Sequence, residues 1–182
     1  SKDVRIASFF EENRISVPFN EMSKNMVNAV VSTEDPRFYQ HDGVDWISLI
    51  RATLTNIATV GNGPGGSTIT MQYVKNVLVN QASSAEDLDA ARGDSATRKI
   101  REIRYALGLE RSFTKGDILE RYLNIAYFGA GAYGIEAASR RYFSKPASDL
   151  NLDEAATLAG IVQQPTKYDP LRNPEKSTER RN

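Results

Sequence analysis

The stretch NEMSKNMVNAVVSTEDPRFYQHDG, residues 20–43, decides the fold class. Met22, Met26, Val27, Val30 and Val31 recur at the spacing of one helix face, which predicts an amphipathic helix with Asn20, after Pro18, as its N-cap. Pro36 disfavours helical backbone at Asp35 and closes the element. Glu34 and Asp35 therefore stand where the helix dipole is negative. A carboxylate there loses about 0.3–1 kcal/mol instead of gaining it. The same field raises proton affinity, which suits a general base. A solvated acidic turn fits the spacing too, and the pattern alone leaves both readings open.

The flanking sequence is also helical. Trp46, Ile47, Leu49, Ile50, Leu54, Ile57 and Val60 form a second apolar stretch, which GNGPGG (61–66) interrupts. A third helix is expected from Ser67 or Thr68 to about Val79. Residues 81–94 are small and acidic and read as a surface loop, mobile over 83–94. Ile100, Ile103 and Leu107 mark the apolar face of a fourth helix that begins near Ser95. Thr114 and Asp117 form a capping box for a fifth, which contains Ile118, Leu119, Tyr122 and Leu123. GAGAYG (129–134) breaks it, and a short helix runs on to Phe143. Asn151 and Glu154, with Leu150 as a staple, cap a last long helix that Pro165 ends. Upstream, alternation at Val4 and Ile6 and at Ile15 and Val17 predicts a minor strand or hairpin. The expectation is one mainly α domain over residues 1–182.

Composition removes several functional classes. With 182 residues the chain is close to the roughly 150 typical of one domain. Lys+Arg and Asp+Glu are both 23, so no global positive field draws the chain to nucleic acid. The absence of cysteine excludes disulfides, thiolate nucleophiles and Cys-based zinc sites, and the single His41 excludes any two-histidine metal site. No apolar run approaches the ~20 residues needed to cross a bilayer. The polar start at Ser1 and the charged tail over 165–182 read as the ends of an excised domain, with a truncated C-terminal segment lacking a closing element.

Two further stretches carry chemistry. In TRKIREI (97–103), Arg98, Lys99 and Arg101 crowd the positive end of a helix, with Glu102 embedded among them. Arg98, Glu102 and Tyr105 share one face. Such a start suits a phosphate or metal–phosphate ligand, and an ordinary solvated charged face fits as well. In GNGPGGSTIT, glycines precede a helix N-terminus that can cradle phosphate oxygens, but Gly66 occupies the lysine position of a P-loop. Lys75 can approach from one or two turns later; a flexible turn capped by Ser67 is the other reading. His41, after a turn, reads as structural. Trp46 and the aromatics of YLNIAYFGAGAYG read as core.

EDPRFYQHDG, GGSTITMQ with YVKN, RKIRE, ILERYLN with FGAGAYGIEAA, YFSK and the ending LAGIVQQPTKYDPLRNPE, in this order, resemble the family-51 peptidoglycan glycosyltransferases. These are the polymerising domains of class A penicillin-binding proteins and of monofunctional transglycosylases. The resemblance covers about residue 18 to the end. It implies a lysozyme-like helical fold with a head lobe and a smaller jaw lobe that dips into the membrane, the jaw including residues 46–60. It implies an enzyme at the extracytoplasmic face of the cell membrane that polymerises lipid II into β-1,4 glycan strands with inversion and releases undecaprenyl pyrophosphate. A transpeptidase domain would follow in bifunctional members.

By the same resemblance Glu34 is the general base toward the acceptor sugar's 4-hydroxyl, and Asp35, Arg37 and His41 shape its surroundings. Glu102 acts on the donor pyrophosphate through a divalent cation, Mg2+ or Mn2+, with Glu102 as its ligand. Lys75, Arg98, Lys99 and Arg101 surround that pyrophosphate. Ser67, Thr68, Thr70, Gln72 and Asn76 line the second motif, with Arg51 a further cation. Two positions depart from the pattern: Met71 replaces the first of two usual glutamines, and Asp94 stands where an arginine is common, with Arg92 a candidate substitute. A lysozyme-like hydrolase or lytic transglycosylase is the nearest alternative, and a non-catalytic lipid II or glycan-binding module the second.

Overall fold

The computed structural model describes residues 13–58, 65–93 and 96–182. These form nine α-helices: α1 (Lys24–Glu34), α2 (Trp46–Ala58), α3 (Ile69–Asn80), α4 (Ala85–Arg92), α5 (Ala96–Glu110), α6 (Lys115–Ile125), α7 (Ile135–Phe143), α8 (Leu152–Val162) and α9 (Pro174–Arg181). The mainly α expectation is met. A two-residue parallel pairing joins β1 (Asn13–Arg14) to β2 (Ala132–Tyr133), in the register Asn13 to Ala132. Thus the strand lies just before Ile15 and Val17, while the expectations at Val4 and Ile6, Val60, Asp94 and Ser95 fall outside the described residues.

Local chemistry explains the helix ends. Helix α1 is capped by Ser23, whose Oγ accepts from the Asn25 N–H, and not by Asn20, which lies in a single 3-10 turn. The capping boxes Thr114/Asp117 and Asn151/Glu154 are both closed reciprocally, as their spacing predicts. Thr68 rather than Ser67 caps α3, accepting from the Met71 N–H.

Four expectations are corrected. The stretch read as a mobile loop over 83–94 holds α4, because Ser84 caps it, Glu86 and Asp87 sit in its first turn and Arg92 in its last. Residues 165–182, read as lacking a further element, hold α9, started by Pro174 and packed on α8. Trp46, read as core, is 53% exposed, and Ile100, read on the apolar face of its helix, is 66% exposed.

Two apolar clusters organise the packing. The larger gathers Met26, Val30 and Phe38 with Ile69, Leu119, Tyr122, Ile135, Leu158 and Ile161, joining α1, α3, α6, α7 and α8. The smaller holds Val44, Met71, Val74 and Ala106, with Ile103 and Leu107 against it, and joins α3 to α5. Met71 is fully buried there. Where the resemblance has a polar residue, Met71 thus adds apolar contact between two site-bearing helices.

Helix α2 differs from the rest. Trp46, Ile47, Ile50 and Leu54 are all more than half exposed and form one stripe at helical spacing. Gly66 fixes α2 against the start of α3: a Cβ there would lie 2.9 Å from the Ala52 Cβ and 3.0 Å from the Leu49 Cα. Only glycine permits that approach, so its presence where a P-loop has lysine is a packing requirement.

Candidate active site

Helices α1, α3, α5 and α8 frame a cleft of about 470 Å³ lined by Glu34, Ser67, Gln72, Lys75, Asn76, Arg98 and Glu102, with Met71, Val162 and Gln163. Helical period explains the α3 contribution: Gln72, Lys75 and Asn76 are at i, i+3 and i+4 and so share a face.

Glu34 is the last residue of α1. Its Oε2 accepts from the Gln72 Nε2 at 2.8 Å, while its Oε1 is buried without a partner. Burial pushes its carboxyl above the ordinary glutamate range; the Gln72 hydrogen bond and the Arg180 charge oppose this, and Asp35 adds to it. A carboxylate with one oxygen held and the other free has the form of a general base.

Glu102 is 1% exposed. Arg98 pairs with its Oε1, and the Lys99 Nζ lies 3.5 Å from its Oε2. Lys99 also donates to the Ser67 Oγ at 2.6 Å, tying α5 to the loop before α3. Burial lowers the Lys99 ammonium; Glu102 opposes that shift, and Arg98 and Lys75 add to it. Two cations thus crowd one carboxylate, and Lys75 acts on Lys99 from the same cleft, so positive charge outnumbers negative around Glu102.

No three His, Cys, Asp or Glu side chains converge as a metal set among the described residues. Glu102, the expected ligand, is already occupied by Arg98 and Lys99. Among the described residues, side chains alone therefore do not form a cage for Mg2+ or Mn2+.

Other expected residues lie behind or away from the cleft. Asp35 is buried and accepts from the His41 Nε2 at 3.0 Å and from the Ile69 N–H at 3.1 Å. It clamps the start of α3 to the end of α1. Arg37 donates through Nε to the Asp45 Oδ2 at 2.9 Å, fastening the turn that leads into α2. The Thr68 hydroxyl donates to the Gly43 carbonyl at 2.6 Å. Thr70 is fully buried and donates to the Glu110 Oε1 at 2.7 Å, on the side of α3 away from Gln72. Arg101, expected in the basic group, instead reaches α4, donating to the Ala90 carbonyl at 2.8 Å. Arg51 is exposed on α2 and does not line the cleft. Arg92 lines an adjoining pocket with Lys75, Asn76, Tyr127 and Tyr133.

Sequence reasoning assigned no site role to two residues beside Glu34. Tyr122, read as core, donates to the Gln72 Oε1 at 2.9 Å. Arg180 of α9 donates to Gln163 at the cleft rim. Nothing in the local pattern of either residue signals this, because both act through tertiary contacts.

A helical scaffold thus brings a half-buried carboxylate, Glu34, into one cleft with Lys75, Arg98 and the Glu102 that Arg98 and Lys99 pair with. The chain belongs to the family described as Transglycosylase, whose model matches residues 2–182. It is 42% identical over 176 residues to penicillin-binding protein 1F of Bacillus subtilis (strain 168), covering 97% of this chain and 23% of that protein. It is 43% identical over 177 residues to penicillin-binding protein 1A of Pseudomonas aeruginosa, covering 97% and 20%. With penicillin-binding protein 1A of Aquifex aeolicus (strain VF5), identity is 40% over 171 residues, covering 94% and 22%. The chain spans about a fifth to a quarter of the length of these relatives.

Proposed function

We propose that the chain is a peptidoglycan glycosyltransferase that polymerises lipid II, joining the anomeric carbon of a growing lipid-linked strand to the 4-hydroxyl of an acceptor sugar. One observation carries the reading: Glu34, with a free buried oxygen, lines the same cleft as Lys75, Arg98 and the Glu102 that Lys99 touches. Glu34 takes the proton from the acceptor hydroxyl as its oxygen attacks. The glycosidic C–O bond to the pyrophosphate breaks, and the electron pair leaves on the lipid pyrophosphate. Lys75, Arg98 and Lys99 balance the charge that develops there. A single displacement inverts an α-linked donor to a β-1,4 product. Positioned base catalysis contributes about 10²–10⁴-fold, and fixed charges in a site with little water can add about as much.

A divalent cation belongs to this proposal only as an addition. It would share Glu102 with two cations and take its other ligands from pyrophosphate oxygens and water.

The stripe Trp46, Ile47, Ile50 and Leu54 supports placing the enzyme against a membrane surface, where a lipid-linked substrate resides. No helix among the described residues is long and apolar enough to cross a membrane. The outer face of the cell membrane and a transpeptidase domain in the whole protein are part of the same proposal. Both rest on the likeness to penicillin-binding proteins.

Purified lipid II, incubated with and without Mg2+ and resolved by gel, tests the reading. Glycan chains are expected. Release of muropeptides from polymeric peptidoglycan, with no chains from lipid II, would favour a hydrolase; binding of lipid II without turnover would favour a non-catalytic module.

A further inference from the structure

Tyr122 sits in the middle of α6 with no solvent exposure, and the reaction above gives it no part. Yet its hydroxyl donates to the Gln72 Oε1 at 2.9 Å, and the Gln72 Nε2 donates to the Glu34 Oε2 at 2.8 Å. Three polar groups thus run from the core, across α3, to the end of α1. A primary amide is ambivalent, because a half-turn about its last torsion exchanges acceptor for donor at nearly the same shape. An ionised carboxylate accepts only, so it tolerates the NH2 end; the carbonyl end suits only a protonated carboxyl. Gln72 contains nothing that selects between them. The Tyr122 hydroxyl does, since Gln72 Oε1 is its one acceptor among the described residues. A flipped amide would leave the phenolic hydrogen buried and unpaired, the costlier arrangement.

We propose that Tyr122 is a positioning residue for the reaction: it fixes the Gln72 amide so that Glu34 Oε2 is held as an acceptor and Oε1 is left as the basic oxygen for the incoming hydroxyl. This rests on Glu34 being the base. The unpartnered Oε1 is what the relay predicts, because a freely rotating amide would compete for either oxygen. The charged groups that act on Glu34 are Asp35 beside it and Arg180 on α9, with Lys75, Arg98 and Glu102 lining the same cleft. None of them touches Tyr122 by hydrogen bond, so replacing its hydroxyl leaves them in place and changes the amide alone.

The test is the pH dependence of kcat and kcat/KM for lipid II polymerisation by the full chain carrying Tyr122→Phe, Gln72→Met, both, or Glu34→Gln. Tyr122→Phe should lower kcat about tenfold near neutral pH, the order of one lost hydrogen bond, with KM little changed. Its acid limb should move to higher pH, because the carboxylate loses its dedicated donor. Activity should recover on the alkaline side. The position of that limb does not depend on how much of a variant folds, so a folding defect cannot imitate the effect. Gln72→Met should move the limb at least as far, and adding Tyr122→Phe to it should move it no further. An unmoved limb in Tyr122→Phe, or a further shift in the double variant, overturns the positioning role while leaving the base intact. Glu34→Gln with a parent-like rate overturns the base assignment, and Tyr122's role with it.

Discussion

Replacing Asp35 by alanine separates scaffold from chemistry in the acidic pair at the end of α1. The Asp35 carboxylate is 4% exposed, and its removal orphans two buried donors, the Ile69 N–H at the start of α3 and the His41 Nε2. Each unsatisfied buried group costs about 1–3 kcal/mol, and a negative charge is also lost from the α3 N-terminus, worth about 0.3–1 kcal/mol. A loss of about 3 kcal/mol is the lower half of that range. For a domain of this size it lowers Tm by roughly 6–12 °C. Asp35→Asn keeps one acceptor oxygen, so about half that loss is expected. Thermal unfolding by circular dichroism reads the shift, and polymerisation measured well below Tm reads the chemistry. The loosened start of α3 should weaken activity without abolishing it. An Asp35→Ala variant that unfolds within about 2 °C of the parent yet forms no polymer would refute the reasoning, because Asp35 would then act on substrate.

Glu102→Gln should destabilise the fold by about 3 kcal/mol or more, since it leaves Arg98 and Lys99 partly buried without their anion; an unchanged Tm would show that the pairing contributes little. Glu34→Gln should be more heat-stable than the parent at pH 7. Burial raises the folded-state carboxyl, so its stabilising contribution is complete below the unfolded-state range and is lost as pH rises through the raised value. The gain should fade in acid, and a Glu34→Gln less stable than the parent at pH 7 would contradict it. Changing Ile50 and Leu54 together to serine should weaken sedimentation with anionic lipid vesicles several-fold while sparing the fold, because both are about 60% exposed; undiminished binding would remove α2 from the membrane contact.

Much of this arrangement was legible where local rules act alone. The two capping boxes and the stop at Pro36 depend on neighbours within a few residues, and each appears where the spacing places it, whereas the cap of α3 falls one residue later, at Thr68 and not Ser67. Helix α4 reads as a loop from its small, acidic composition, and only the Ser84 cap and the charge order of its turns signal the helix. Ile100 is exposed and Glu102 buried, the reverse of what their hydropathy suggests. The carboxylate is buried because Arg98 and Lys99 compensate its charge, a condition that hydropathy does not register. Among the site residues, Glu34, Gln72, Lys75, Asn76 and Glu102 share the cleft. Thr70 and Arg101 face elsewhere, for their helix phase directs them to Glu110 and to α4. The Tyr122–Gln72–Glu34 relay joins residues 50 and 38 positions apart, beyond the reach of any local pattern.

The central claim, that residue 34 supplies the proton acceptor, is tested most directly by comparing Glu34→Gln with the parent on lipid II, with gel-resolved chain length as the readout. Glu34→Gln should be a folded protein whose chain formation falls by about 10²-fold or more. Chains formed at about a tenth of the parent's rate or faster would contradict it.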